Sequence, residues 1–427
     1  MTQPSLARRL GLGDAVAIGL AAMIGAGVFA VWAPAAQAAG AWLMLGLLIA
    51  AVVALANAAS TAQLAVQYPE SGGAYRYGRE RLGAWPGFLA GWGFIIGKTA
   101  SCAAMALTAV AYLVPNEWQR PAAVAVVAVL VGVNLLGVTR TARVGGAIVV
   151  VVLAVLVVVA AAGLVGGTDH QGQLVASSEP GAPGTVYGIL QSAALLFFAF
   201  AGYARIATLG EEVRDPARTI PRAIGIAFLV VIAVYFAVGS AALAALGPEH
   251  LAGSSAPLVD VVAAAGWTWA EPIVRIAAGV AALGSLLVLI AGIARTELAM
   301  ARDGELPAKL ATVHPKRSTP LVAELVTGAA IVVLVLAVDL REAIGFSSFG
   351  VLCYYLVANL AAITQPAEHR RVPRALSAIG AIGCIVLVAT LPPVSIAVGV
   401  AVFAVGALVR LTARGIRRSR SRRRTRR

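Results

Sequence analysis

The sequence predicts an all-α membrane protein with twelve transmembrane helices, and three observations predict it. First, 60 % of the 427 residues are hydrophobic and only 12 % are charged, well under the roughly 25 % charge of a soluble domain. A soluble fold has too little interior to hide that much Val, Leu, Ile and Ala, which excludes a water-soluble enzyme. Second, the apolar residues run in continuous stretches of the about 17–25 residues that span a bilayer as helix. They do not alternate as the strands of a transmembrane barrel do. Third, the basic residues are lopsided. With an N-terminus in the cytoplasm and alternating spans, 28 of the 33 Lys and Arg fall inside, three outside and two within spans. The positive-inside rule then places both termini in the cytoplasm of a multi-pass cell-membrane protein.

A short cytoplasmic N-terminus, residues 1–11, carries Arg8 and Arg9. Span 1 (12–36) contains Gly25, Gly27 and Pro34, and span 2 (41–66) is continuous. Span 3 (84–113) holds Lys98 near its middle. Spans 4 (121–138) and 5 (144–166) flank Arg140 and Arg143. Span 6 (188–209) has aromatics, then Gly202, then Arg205, and span 7 (220–246) follows. The connections 167–187 and 247–270 lack Lys and Arg and read as outside loops. Spans 8 (271–300), 9 (319–338) and 10 (342–363) complete a ten-span unit. Pro392 and Pro393 separate spans 11 (374–391) and 12 (393–412), because a double proline stops a helix.

The net charge of +14 does not point to nucleic acid, because ten basic residues crowd the last 18 positions and most others sit in short loops. The tail 413–427 reads as solvated and disordered, or as a partner for anionic lipid headgroups. Cys102, Cys353 and Cys384 lie in apolar runs with no pairing or metal-binding pattern. No His/Asp/Glu set at membrane depth, phosphate-binding glycine loop or cofactor motif is visible, so no enzyme, metal or cofactor is expected.

Spans 1 and 6 should not be straight. Each glycine weakens a helix by roughly 1 kcal/mol relative to alanine. An opened turn survives in lipid only where it lines a cavity. Glycines also serve close helix packing, and position decides between the two readings. Spans 1 and 6 begin the two halves of the ten-span unit, and interrupted segments at corresponding places mark an inverted-repeat transporter with a midplane site. A half-helix starting after Gly27 offers N–H groups and a positive dipole end to a carboxylate. Carbonyls freed in both breaks suit an ammonium, so the pair suits an amino acid zwitterion.

Four stretches carry a family likeness. They are Ile24-Gly25-Ala26-Gly27-Val28-Phe29; Glu70 to Tyr77 (Glu-Ser-Gly-Gly-Ala-Tyr-Arg-Tyr); Gly210 to Pro221, with Glu211, Glu212, Asp215 and Pro216; and Ala299 to Pro307 (Ala-Met-Ala-Arg-Asp-Gly-Glu-Leu-Pro). In this order the chain resembles the amino acid–polyamine–organocation permeases. The resemblance implies the LeuT-type fold, a 5+5 inverted repeat (12–166 and 188–363) plus two C-terminal helices (374–412). It further implies N–H groups of Ala26 and Gly27 on the substrate carboxylate. Carbonyls around Met23, Ile24, Phe198 and Ala201 would take the ammonium, Gly25 and Gly202 would lie in the opened turns, and Phe198 or Phe200 would form the occluding wall. Three positions depart from the family pattern. Ala26 stands for a serine, Ala204 for an acidic residue of several relatives, and Val152 for a lysine that some sodium-independent relatives carry in span 5.

Lys98, Arg205, Glu211 and Glu212 are the expected coupling and gating residues. Lys98 lies roughly 20 Å of helix from either end of span 3, too deep to reach water. With Asp14, Glu271, Glu297, Glu324 and Glu342 all near span ends, it is expected to donate to the opened backbone of span 1. The expected activity is secondary transport of an amino acid or related small amine by alternating access, with protons as coupling ion. Amino acid exchange, or a non-transporting sensor on the same fold, are the alternatives.

Overall fold

A bilayer offers no partner for backbone N–H and C=O groups, so an apolar chain folds there as helix. The computed structural model describes residues 10–68, 72–136, 142–166, 185–207, 209, 212–314 and 319–424. Among them, nine helices are long and apolar enough to cross a membrane, and three shorter apolar helices cover 186–200, 321–337 and 374–390.

The predicted span 1 is three pieces: α1 (Leu12–Met23), α2 (Gly27–Ala30) and α3 (Trp32–Ala39). The N–H of Gly11 donates to Asp14 at 2.9 Å and starts α1. α4 (Leu43–Gln67) is unbroken, and the following connection contains a helix, α5 (Ala74–Leu82). Next come α6 (Ala84–Leu113), α7 (Gln119–Leu135) and α8 (Ala142–Gly166). The predicted span 6 is α9 (Thr185–Phe200) and a separate turn of helix, α10 (Ala204–Ala207). α11 (Pro216–Gly253) outruns its expected end at 246, kinking where Gly247 adopts φ 67° before Pro248. The loop that follows contains α12 (Pro257–Ala264). α13 (Glu271–Arg302), α14 (Leu321–Ala337), α15 (Leu340–Ile363), α16 (Arg374–Thr390) and α17 (Pro393–Arg424) complete the order.

The centre of the bundle is α6 against α15, in which 72 % and 78 % of the spanning window is buried, against 22 % in α7 and in α17. Glycines permit this central approach. A Cβ on Gly350 would stand 2.7 Å from the Cα of Gly97, so the two backbones touch directly.

Two expectations about the C-terminus change. α17 continues to Arg424, so the basic segment has a helical backbone rather than a disordered one, as the good helix propensity of arginine allows. Arg410, the first of the ten basic residues in the last 18 positions, does not share the solvated setting expected of that group. It is fully buried and paired with Glu305.

Candidate functional site

The two helix interruptions fall where the glycines placed them, and they face each other. α1 stops at Met23, where Ile24 takes φ −88° and ψ 48°, and helix resumes at Gly27. α9 stops at Phe200, and residues 201–203 form a turn before α10. A Cβ on Gly27 would stand 2.8 Å from the Cα of Ala199, and one on Gly202 would stand 2.6 Å from the backbone N of Met23. The missing side chain of Gly27 therefore admits α9. It is backbone contact between the two breaks, more than open space, that requires glycine there.

Opened turns leave carbonyls without helical partners, and three side chains meet them. Tyr235, from α11, donates its hydroxyl to Met23 O at 2.7 Å and lies 3.0 Å from Ala199 O. It thus ties the end of α1 to α9. Lys98 donates from Nζ to Ala201 O at 3.2 Å, and the Tyr355 hydroxyl, from α15, donates to the same oxygen at 3.3 Å. Lys98 does reach an opened backbone, but in the second break and not, as expected, in the first. Its residue lies on the face of α6 turned to the second break. Of the carbonyls expected to receive an ammonium, those of Met23 and Ala201 are thus already engaged.

Tyr235 and Tyr355 were missed by sequence reasoning. The available signal was a phenol inside an apolar span, since a buried Tyr hydroxyl usually finds a partner. Aromatic packing fixes both. Tyr355 stacks on Tyr203 with centroids 4.9 Å apart, and Phe200 lies edge-on to Tyr235 at 5.0 Å and stacks on Phe228 at 5.6 Å. Phe200 is therefore committed to the packing against α11, and of the two expected wall residues Phe198 is the one not so fixed.

Across from the first break lie α6 and α13. Ala26 packs with Ala109 and Ala282, flanked by the partly exposed Met105 and Leu283. A Cβ on Gly25 would collide with the Ser285 hydroxyl. Met23, Ile24, Ala26, Phe198 and Ala201 are all buried, as are Gly25 and Gly27, while Gly202 is partly exposed. Val152, the position of the lysine in some relatives, is a buried core residue.

Two of the expected gating residues lie close enough to interact. Arg205 sits in the short α10, and the charge of Glu212 acts on it. Through its backbone Glu212 also accepts from Leu10 N at 3.0 Å, while Arg214 N donates to Leu10 O at 2.9 Å. This short pairing joins the segment before α1 to the segment after α10. Glu211 lies outside the described residues. Glu297 and Glu324, expected near span ends, are both buried, because α13 and α14 pack over them, and Thr327 donates to Glu297 at 3.2 Å.

Two of the motif stretches meet at the basic end. Tyr75 donates to Asp303 at 2.6 Å, and Arg79 bonds Tyr75 at 2.9 Å and Glu305 at 3.1 Å. Burial, helped by the bond to Asp303, holds the Tyr75 phenol above its ordinary pKa. Arg410 closes the group on the other side of Glu305, donates to Ala84 O at 2.7 Å, and lies 4.1 Å above the Trp85 ring. At the opposite end Arg341, from α15, donates to Gln37 of α3 at 3.1 Å and to Gln191 of α9 at 2.9 Å. One guanidinium thus holds together the two helices that continue from the breaks.

The sequence profile of the amino acid permease family matches residues 10–411. The chain belongs to this family. The permease is 54 % identical over 418 residues to an uncharacterized transporter of Mycobacterium tuberculosis, covering 98 % of this chain and 93 % of the relative. It is 29 % identical over 402 residues to a branched-chain amino acid permease of Bacillus subtilis, covering 88 % and 85 %. It is 30 % identical over 373 residues to the chloroplastic cationic amino acid transporter 7 of Arabidopsis thaliana, covering 81 % and 63 %. The permease is accordingly a multi-pass membrane transporter and not an enzyme.

Proposed function

We propose that this permease carries an amino acid across the cell membrane by alternating access, with twelve spans, both termini in the cytoplasm and α1–α15 forming a 5+5 inverted repeat. The observation that carries the proposal is the pair of facing helix breaks, bridged by Tyr235 and capped by Lys98. N–H groups at Ala26 and Gly27 would receive the carboxylate, since the first amides of a helix have no acceptor of their own. The ammonium would go to the opened turns around Ile24, Gly25 and Phe198, or share the Met23 and Ala201 carbonyls with the side chains now on them. Phe198 would cover the bound substrate.

Movement requires contacts that can be exchanged. The Arg341 fork to Gln37 and Gln191 would hold the outer side shut and release when that side opens. The pairing of Leu10 with the 212–214 segment would make α1 and α10 move together. Lys98, whose partner is a neutral carbonyl, could give up its proton without leaving a buried carboxylate unpaired, and is the proposed coupling group. Glu212 and Glu211 would act at the cytoplasmic mouth with Arg205, and the basic tail would rest on anionic lipids. Counterflow of a labelled amino acid in proteoliposomes, with and without an inward proton gradient, tests the proposal. Gradient-driven accumulation is expected. Counterflow without it would mean exchange, and neither would leave a sensor.

A further inference from the structure

We infer that the site selects neutral amino acids with apolar side chains and rejects cationic ones, with Lys98 as the residue that excludes a second positive charge and Met105 with Leu283 as the receptor for the side chain. The inference rests on the reading of the two breaks as the amino acid site.

Lys98, Met105 and Ala109 are spaced i, i+7 and i+11 on α6, which puts them on one face of the helix. That face turns to the breaks at both ends. Lys98 reaches the second break through Ala201 O, and Ala109 packs on Ala26 in the first. Met105 lies between them, roughly 10 Å along the axis from Lys98. Ala282 and Leu283, from α13, complete the far side of the same small cluster. Ala26, Ala109 and Ala282 are fully or almost fully buried, yet Met105 and Leu283 beside them keep partial exposure. Small residues surrounded by two larger, partly accessible apolar ones form a receptor for a hydrocarbon side chain. Those side chains offer no hydrogen bond to a polar one, and the Ser285 hydroxyl nearby lies against Gly25.

Charge argues the same way. A substrate with a second ammonium or a guanidinium needs an acid facing the breaks. Among the described residues, α6, α9 and α10 contain no Asp or Glu, and Ala204 follows the second turn. The nearest acid toward the basic end of α13 is Glu297, 12 residues beyond Ser285, or roughly 18 Å of helix, and it is bonded to Thr327 of α14. The amine that bonds a break carbonyl is Lys98, a cation when protonated. In a low-dielectric interior two like charges repel strongly. An acidic substrate would find its partner in Lys98 but would lose hydration against Met105 and Leu283.

The test is competition on the full-length protein in proteoliposomes without a proton gradient, so that coupling does not enter. Leucine, isoleucine, valine and methionine are expected to compete for counterflow at concentrations at least about tenfold lower than lysine, arginine, putrescine or glutamate. Lys98→Gln is expected to narrow the ratio between leucine and lysine, whatever it does to either affinity alone. Leu283→Trp, which fills the receptor, is expected to weaken leucine and methionine more than alanine. Lysine, arginine or putrescine binding as tightly as leucine would overturn the inference and leave the transport reading intact, as would glutamate binding best. No amino acid producing counterflow would overturn both.

Discussion

Among the described residues two basic side chains are buried, and the protein settles them in opposite ways. Arg410 is fully enclosed and faces a carboxylate, a backbone carbonyl and an aromatic ring. Glu305 in turn is shared with Arg79, whose other neighbours are Tyr75 and Asp303. Lys98, 9 % exposed, donates to a carbonyl that Tyr355 also uses. Charges that neutralise one another fix helices in place. A charge resting on neutral dipoles can be moved or neutralised at little cost to its surroundings. The first arrangement suits an anchor for α17, and the second suits a working part.

Separating stability from transport sharpens this contrast. Arg410→Gln leaves Glu305 short of its closest partner in a buried setting, and breaking such a pair typically costs about 3–5 kcal/mol. A large fall in melting temperature in detergent is expected, with the surviving folded protein still transporting. Gly27→Leu acts on the other region. Its side chain would run into the α9 backbone, a form of overpacking that costs about 1–3 kcal/mol. Membrane insertion should persist, measured as monodisperse protein in detergent, while uptake is lost. Tyr235→Phe removes the donor that serves Met23 and Ala199, leaving buried acceptors unmet at about 1–3 kcal/mol. Weaker substrate binding by thermal shift should accompany the lower melting temperature. Arg205→Gln removes a charge that interacts with Glu212 and should change stability by about 0–1 kcal/mol, as for other ion pairs near a surface. If it nevertheless slows uptake, Arg205 belongs with Lys98 among the working charges.

The spans were legible because hydrocarbon thickness sets their length, and the breaks because glycine is poor helix material at positions where the halves of a repeat would correspond. The depth of Lys98 was legible by counting residues, but its partner was not. Which break it meets depends on how α6 is rotated against α13 and α15, and an apolar sequence around all faces of α6 carries no such information. Arg410 was hidden by the arginines that follow it, since a run of one residue type gives no hint that its first member turns inward. Glu297 looked like a helix-end carboxylate because the α14 surface that buries it lies elsewhere in the chain. Tyr235 and Tyr355 stood in their spans as ordinary bulky residues. Only the facing of two opened turns gives their hydroxyls a task.

Whether Lys98, at the second break, couples transport to protons is decided by Lys98→Gln in proteoliposomes. Amino acid accumulation driven by an inward proton gradient is measured beside counterflow at equal pH. The account predicts that the variant keeps counterflow, loses gradient-driven accumulation and becomes insensitive to external pH. Gradient-driven accumulation with the wild-type pH profile would contradict it.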